Sequence, residues 1–242
     1  MDLSATSHTG DGAAPSALVK EAALRHLAES GAAGLSPAAV ARAAGLAPAV
    51  VEALFPDRAA LLTALLVDAY DASGAAMERA DTDAASAGAP AGARLLAAAR
   101  ALRQWSFAHP AQFALLYGSP VPGYHAPQDT VAPASRTPAV LAGIVRSALE
   151  HGELTPPRRE VPGPPLLLPA AAHLFGGAPG APFADVVERG IVLWSGLIGL
   201  LAFQVFSRTH DSVRDEAAFF DYAVAVTAET IGLVVPPGEN AG

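Results

Sequence analysis

Apolar and polar positions alternate with a helical period through almost the whole chain. Over 16–30, Val19, Ala23 and Leu27 recur every four residues, and Gly31 follows as a stop signal. This spacing predicts an amphipathic helix. Similar patterns predict further helices over 58–80, 94–109, 111–117, 137–151, 183–208 and 213–235, the last capped by Ser212. Because no strand pattern or internal repeat stands out, we predict an all-α protein.

Two short helices and a tight turn are predicted within 36–55, SPAAVARAAGLAPAVVEALF. Ser36 can cap the first helix, and Gly45 supplies the positive φ needed where that helix ends. The second helix begins at Pro48. Ala41 leaves only a methyl group where the two helix backbones must approach each other. This is the pattern of a helix-turn-helix that reads DNA.

The second of these helices offers little hydrogen-bonding chemistry to DNA. Val51 and Leu54 are expected to face the interior, which leaves an outward set of Ala47, Pro48, Ala49, Glu52 and Ala53. None of these side chains can form the bidentate contacts by which Arg reads guanine or Asn and Gln read adenine. Phosphate contacts are expected from Lys20, Ser36, Arg42 and Arg58.

The charge balance of the region around this motif predicts weak DNA binding. Residues 16–72 carry four basic side chains and six acidic ones. The whole chain has a formal net charge of -8. Nucleic-acid contact must therefore use a local patch, and we expect modest affinity that is easily lost to salt.

Small residues over 81–93, DTDAASAGAPAGA, suggest a connector after the fourth helix. We therefore predict a flexible tail over 1–15, a helix-turn-helix domain with its connecting helix over 16–80, and a larger helical domain over 81–242. Within the last domain, the Pro-rich segment 155–182 predicts a lid or local disorder around one apolar patch, 166–175.

The last two predicted helices are unusually apolar. The stretch 190–207 has no charged residue, which reaches the lower limit for a membrane span, but Ser195, Gln204 and three glycines favour a buried helix. Such helices would leave a broad apolar surface on a monomer. A second copy of the chain is the simplest cover, so we predict a homodimer through these two helices and no membrane association.

Aromatic and polar side chains of the second domain are candidates for a small-molecule site. Pockets for small molecules are mostly apolar and carry a few orienting groups. The candidates are Trp105, Phe113, Tyr117, Tyr124, His125 and Trp194. Aromatic residues at helical spacing are more often core residues, and that alternative stays open for each of them.

Composition excludes several kinds of chemistry. The chain has no cysteine, which removes disulfides, zinc–thiolate sites and thiol nucleophiles and suits a cytoplasmic location. Its seven histidines are scattered, without the spacing of a metal site. No nucleophile elbow, phosphate loop or dinucleotide fingerprint is present. We therefore predict no enzymatic activity, no cofactor and no metal.

The three-helix start, the Phe-Pro-Asp-Arg-x-x-Leu-Leu junction at 55–62 and the larger helical second half resemble the TetR family of bacterial transcriptional regulators. The stretch 105–136 looks like the ligand domain of an actinobacterial-type subgroup. The resemblance implies an all-α homodimer with a four-helix interface. It also implies a small apolar effector, whose binding moves the two helix-turn-helix domains of the dimer apart and so weakens operator binding.

The chain departs from the family pattern in the reading helix. Glu52, Ala53 and Leu54 stand where relatives commonly carry Tyr, a basic or polar residue, and His, and Ala47 replaces the usual Ser or Thr cap. The leading hypothesis is a ligand-responsive regulator, most simply a repressor. The alternative is a ligand-sensing or protein-binding module of the same fold, whose helix-turn-helix binds DNA only weakly.

Overall fold

The computed structural model describes residues 14–156, 166–168, 173, 176–177, 179–209 and 212–236. Within these residues the chain is helical and forms no β-strand beyond one isolated antiparallel bridge between Leu154 and Leu233. The predicted all-α fold is confirmed. Nearly all of the predicted tail, and most of the Pro-rich segment with its apolar patch, lie outside the described residues.

Nine α-helices account for most of the described residues. They are α1 Pro15–Ser30, α2 Pro37–Ala44, α3 Pro48–Leu54, α4 Arg58–Ser86, α5 Ala91–Ala108, α6 Pro110–Tyr117, α7 Val131–Glu150, α8 Val186–Val205 and α9 Glu216–Ala228. The chain divides into two compact units. Among the described residues, the head unit comprises 14–65 together with Pro120–His125, and the body unit comprises Leu66–Ser119 and those from Ala126 onward.

The head unit forms around the local signals of the helix-turn-helix. Ser36 caps α2 by accepting a hydrogen bond from the backbone N–H of Ala39 at 3.2 Å. Gly45 ends α2 with φ 66°, in the left-handed region that glycine adopts without strain. Val40, Ala41 and Val51 are fully buried between α1, α2 and α3. Both predicted helices and the turn between them are therefore confirmed.

Leu54 departs from its predicted inward orientation, because 40% of its surface is exposed. It is the last residue of α3, and the backbone turns extended at Phe55, with φ -137° and ψ 93°. Phe55 is only 7% exposed, so it occupies the interior position that the helical spacing assigned to Leu54.

The body unit buries a continuous apolar core in which α5 packs against α7, α8 and α9. Leu102, Ile144, Leu201 and Phe220 are among its fully buried side chains. At the start of α5, the backbone N–H of Ala91 donates to Oε2 of Glu153 at 2.7 Å. This contact supplies a partner for one of the N–H groups that a helix start leaves without an intrahelical bond.

Several predicted helix bounds were wrong. Helix α4 continues past 80 to Ser86, so it includes part of the predicted connector. Helix α7 begins at Val131, well before 137. The predicted start at 137 put Pro138 in the first turn. In the structure Pro138 lies inside the helix, and the first turn contains Pro133, whose missing N–H breaks no helical hydrogen bond there. Because α4 is continuous through both 65 and 80, the domain boundary near 80 stays a prediction.

The two C-terminal helices are also shorter than predicted. Helix α8 is Val186–Val205. Helix α9 begins at Glu216 because Asp215, and not Ser212, is its cap: the Asp215 carboxylate accepts from the N–H groups of Ala217 and Ala218, each at 2.9 Å. After α9 the chain makes a short 3₁₀ turn and reverses at Gly232, where φ is 79°.

Candidate nucleic-acid interface and binding cavity

Helix α3 exposes almost its whole surface. Val51 is fully buried, whereas every predicted outward position is exposed: Ala47, Pro48, Ala49, Glu52 and Ala53. Val50 and Leu54 are exposed as well. Val50, which is 39% exposed, was missed by the sequence reading. Successive residues of a helix lie about 100° apart, so a residue next to the inward-facing Val51 points away from the interior. This spacing could have predicted the exposure of Val50.

The four predicted phosphate-binding groups have different surroundings. Arg42 is exposed in the last turn of α2, and Lys20 is half-buried on α1. The Ser36 hydroxyl caps α2. Arg58 donates from Nη2 to the carbonyl oxygen of Ala32 at 2.7 Å and from Nη1 to that of Pro122 at 3.3 Å. Arg42 is therefore the best exposed of the three cations, and the Arg58 guanidinium is engaged by backbone carbonyls.

The segment Pro120–His125 belongs to the head unit. The Tyr124 hydroxyl shares a hydrogen bond of 2.8 Å with Oγ1 of Thr63, and His125 is exposed. Tyr124 and His125 therefore belong to the head unit, whereas the other four predicted ligand residues belong to the body unit. The hydrogen bond joins residues 61 positions apart, so periodicity along the sequence could not reveal where Tyr124 lies.

Three of the predicted ligand residues meet in one aromatic cluster of the body unit. The ring centroids of Phe113 and Tyr117 lie 5.3 Å apart, and those of Tyr117 and Trp194 lie 6.2 Å apart. Phe206, which the sequence reading missed, extends the cluster with its ring centroid 6.0 Å from that of Phe113. Trp105 is only 7% exposed and instead contacts the His109 ring, at 5.7 Å between centroids.

A cavity of about 120 Å³ lies between α7 and α8, beside this cluster. Trp194 belongs to both. The lining is almost wholly carbon and contains no charged side chain: Pro138, Leu141, Ala142, Val145, Val186, Val187, Gly190, Ile191, Leu193 and Trp194. An ionised group would lose its hydration here without finding a partner, so the cavity favours an uncharged apolar molecule.

Two hydroxyl groups lie close to the cavity wall. Burial raises the pKa of Tyr117 to about 12, and an interaction with Thr137 opposes part of that rise. Neither the Tyr117 hydroxyl nor Oγ1 of Thr137 has a partner in good hydrogen-bond geometry, although both atoms are buried. Thr137 precedes Pro138 of the cavity lining. The Tyr117 hydroxyl is therefore neutral at physiological pH, so neither hydroxyl group adds a charge beside the cavity.

An ion cluster fixes α7 against α4 just before this wall. Arg136 donates to the carboxylates of Glu78, at 2.6 and 2.9 Å, and Asp71, at 2.7 Å. The Arg136 guanidinium lowers the pKa of Glu78. A Cβ at Gly74 would lie 2.8 Å from Cβ of Arg136, so the absence of a side chain at Gly74 permits this close approach. The cluster anchors the turn of α7 that carries Thr137 and Pro138.

Helices α8 and α9 expose apolar side chains on what we call the α8–α9 face: Val192, Phe203, Tyr222 and Val226, which are 48–64% exposed. The two helices pack closely, since a Cβ at Gly196 would lie 3.2 Å from Cγ2 of Thr227. By length and composition alone, α4 and α8 would each be long and apolar enough to cross a membrane. An exposed apolar face of this kind is typical of an interaction surface.

A helix-turn-helix head followed by a larger helical body is the arrangement of a class of transcriptional regulators that bind DNA through the head. A family model described as "Tetracyclin repressor-like, C-terminal domain" matches residues 95–227. HTH-type transcriptional regulator Rv1816 of Mycobacterium tuberculosis is 35% identical over 220 residues, which cover 88% of this chain and 92% of that protein. The chain belongs to the TetR family, whose members bind DNA operators, usually act as dimers and are generally not enzymes.

Solved structures agree with this assignment. The structure of SCO4313 is 27% identical, with a TM-score of 0.67 over 88% of this chain and 95% of its own. The TetR family transcriptional regulator PfmR from Thermus thermophilus has a TM-score of 0.58 at 19% identity, over 90% of this chain and 99% of its own. At that identity the second likeness supports the fold alone.

Proposed function

We propose that this protein is a cytoplasmic, dimeric transcriptional repressor that is released from its operator by a small, uncharged, apolar effector. The observation that carries the proposal is the cavity between α7 and α8, which has an almost wholly carbon lining, in a chain whose other unit exposes a helix-turn-helix. Repression is the simplest role because a bound dimer occludes its operator. Effector binding then needs only to favour a conformation with poorer DNA affinity.

Electrostatics limit how tightly this head can hold DNA. Arg42 is exposed, whereas Arg58 is engaged by two carbonyl groups. Glu52 is exposed on α3 and repels phosphates. Few counterions are therefore released on binding, and each phosphate contact that remains contributes a large share of the affinity.

Arg42→Ala is expected to lower operator affinity by roughly tenfold. It should also reduce the slope of log K against log salt concentration by about two, because each subunit of the dimer loses one phosphate contact. The measurement is a footprint on the DNA upstream of the protein's own gene, followed by titrations at two salt concentrations. Arg79→Ala, at an exposed arginine of the body unit, is the matched control and should change neither value. An unchanged salt slope in Arg42→Ala would remove Arg42 from the interface.

The alternative, a sensing module with a weak reader, is favoured by the lack of any cation on α3. The same titration separates the two functions. If a folded dimer protects no genomic fragment even at low salt, the repressor hypothesis fails and the sensing module stands.

The effector hypothesis predicts a response that Trp194 can report. Because Trp194 lines the cavity and the chain has only two tryptophans, Trp105→Phe leaves Trp194 as the single emitter. We expect 1-octanol to change its fluorescence and to release DNA. Octanoate should bind at least tenfold more weakly at pH 7, because its carboxylate would be desolvated without a partner.

Ala142→Phe supplies the control for this experiment. Ala142 lines the cavity, so a phenyl ring there should fill the space, abolish the octanol response and leave DNA binding intact. A response to octanol that survives Ala142→Phe, or equal binding of octanol and octanoate, would contradict an effector site at this cavity.

A further inference from the structure

The outermost residues of α3 are alanines. Successive residues of an α-helix lie about 100° apart, so Ala49 and Ala53 fall on either side of the direction opposite the fully buried Val51. Both alanines are exposed. Val50, 39% exposed, lies on one flank of this ridge, and Glu52 lies on the other flank. The surface that α3 can place in a groove therefore consists of methyl groups with a single carboxylate beside them.

Methyl groups can contact only one apolar feature of a base edge in the major groove, the 5-methyl group of thymine. Short side chains also let the helix axis come closer to the bases than Arg or Gln would. Ala49 and Ala53 lie about 6 Å apart along the helix, which corresponds to roughly two base-pair steps. Two thymines at that spacing could be in contact at the same time.

We propose that α3 selects its operator by van der Waals contact of Ala49, Val50 and Ala53 with thymine methyl groups, while Glu52 accepts a hydrogen bond from a cytosine amino group. This inference rests on the proposed DNA-binding function and names the base chemistry of the same site. Guanine is disfavoured at the contacted positions, because its O6 and N7 acceptors find no side-chain donor on α3 and are repelled by Glu52.

The occupant of this surface is duplex DNA for two reasons. The family binds DNA through this motif. In addition, the exposed Arg42 lies near the C-terminal end of α2, the helix that precedes the turn to α3, where it can reach a backbone phosphate. A protein partner is the competing occupant, and it would leave α3 without any dependence on base identity.

The test removes single methyl groups from the DNA and leaves the protein unchanged. After the operator has been located by footprint, each protected thymine is replaced by deoxyuridine in turn, and affinity is measured at constant salt. We expect a loss of roughly fourfold for each contacted methyl and more than tenfold for two, which is the scale of burying one such group. Deoxyuridine at thymines outside the protected region is the control and should have no effect.

A double-mutant cycle assigns the contact to a residue. In Ala53→Gly, the thymine that Ala53 contacts should no longer respond to its replacement by deoxyuridine, whereas the other thymines still respond. Ala59→Gly, at an exposed alanine in the first turn of α4, controls for the weaker helix propensity of glycine and should leave every thymine effect in place.

Each outcome decides the inference. Methyl-dependent affinity that is coupled to Ala49 or Ala53 supports it. Protected DNA whose affinity is unchanged by every deoxyuridine overturns the thymine readout and leaves the proposed repressor standing. If no DNA is bound at low salt, the proposed function falls, and the readout falls with it.

Discussion

Val226→Glu is expected to convert the dimer into a monomer and to lower operator affinity by roughly 10²–10⁴-fold. Val226 is 48% exposed on α9, one helical turn from Tyr222, which is 64% exposed. If the α8–α9 face is the dimer interface, two carboxylates would be buried there without partners. In a dimer, binding of one head holds the second head at a high effective concentration near the other half-site. A monomer lacks this advantage and binds more weakly.

Sedimentation and operator titration measure the two effects of this substitution. Val131→Glu is the matched control, because Val131 is 50% exposed at the start of α7 and lies off the α8–α9 face. It should leave both the mass and the affinity unchanged. A dimer that persists in Val226→Glu would show that another surface holds the subunits together.

Gly92→Ala is expected to destabilise the body unit by about 2–3 kcal/mol and to lower Tm by roughly 5–10 °C. Gly92 lies in the first turn of α5, where alanine would ordinarily be the better helix former. A Cβ at this position, however, would overlap the carbonyl oxygen of Val234. The segment that contains Val234 and Val235 would have to move away from α5. Displacing the segment would expose Leu233, which is 1% exposed.

Gly143→Ala gives the opposite sign and serves as the control. Gly143 lies inside α7, and nothing stands within 4 Å of the position that its Cβ would occupy. Here the helix propensity of alanine should raise stability by about 0.5–1 kcal/mol. Thermal unfolding followed by circular dichroism measures both variants. Equal shifts in the two proteins would contradict the tight approach of the C-terminal segment to α5.

Local signals made the helix-turn-helix predictable. Ser36, Pro37 and Gly45 act within a few residues of their own positions, so the sequence alone located α2, the turn and the start of α3. The start of α7 was missed because Pro138, which the predicted start at 137 put in the first turn, lies inside the helix, and the first turn contains Pro133 instead. The cap of α9 was misplaced because both Ser212 and Asp215 are residue types that favour caps.

The candidate site was predictable only in part, because it depends on contacts between residues that are far apart in the sequence. Residue type selected Phe113, Tyr117 and Trp194, which do meet in one cluster. Residue type alone could not distinguish these three from Tyr124, which hydrogen-bonds to Thr63 in the head unit. The cavity lining is aliphatic on α7 and α8, and aliphatic residues at helical spacing look like any core until the packing is known.

The partners of Arg58 and Thr63 have a practical consequence for engineering chimaeric regulators. Both residues contact Pro120–His125, a segment remote in sequence that belongs to the same unit. A chimaera that took this chain only up to Leu65 would leave Arg58 and Thr63 without these partners, because the loop at 120–125 would come from the other protein. The transplantable module of this regulator is therefore discontinuous, and a recipient scaffold should receive the short second piece together with the first.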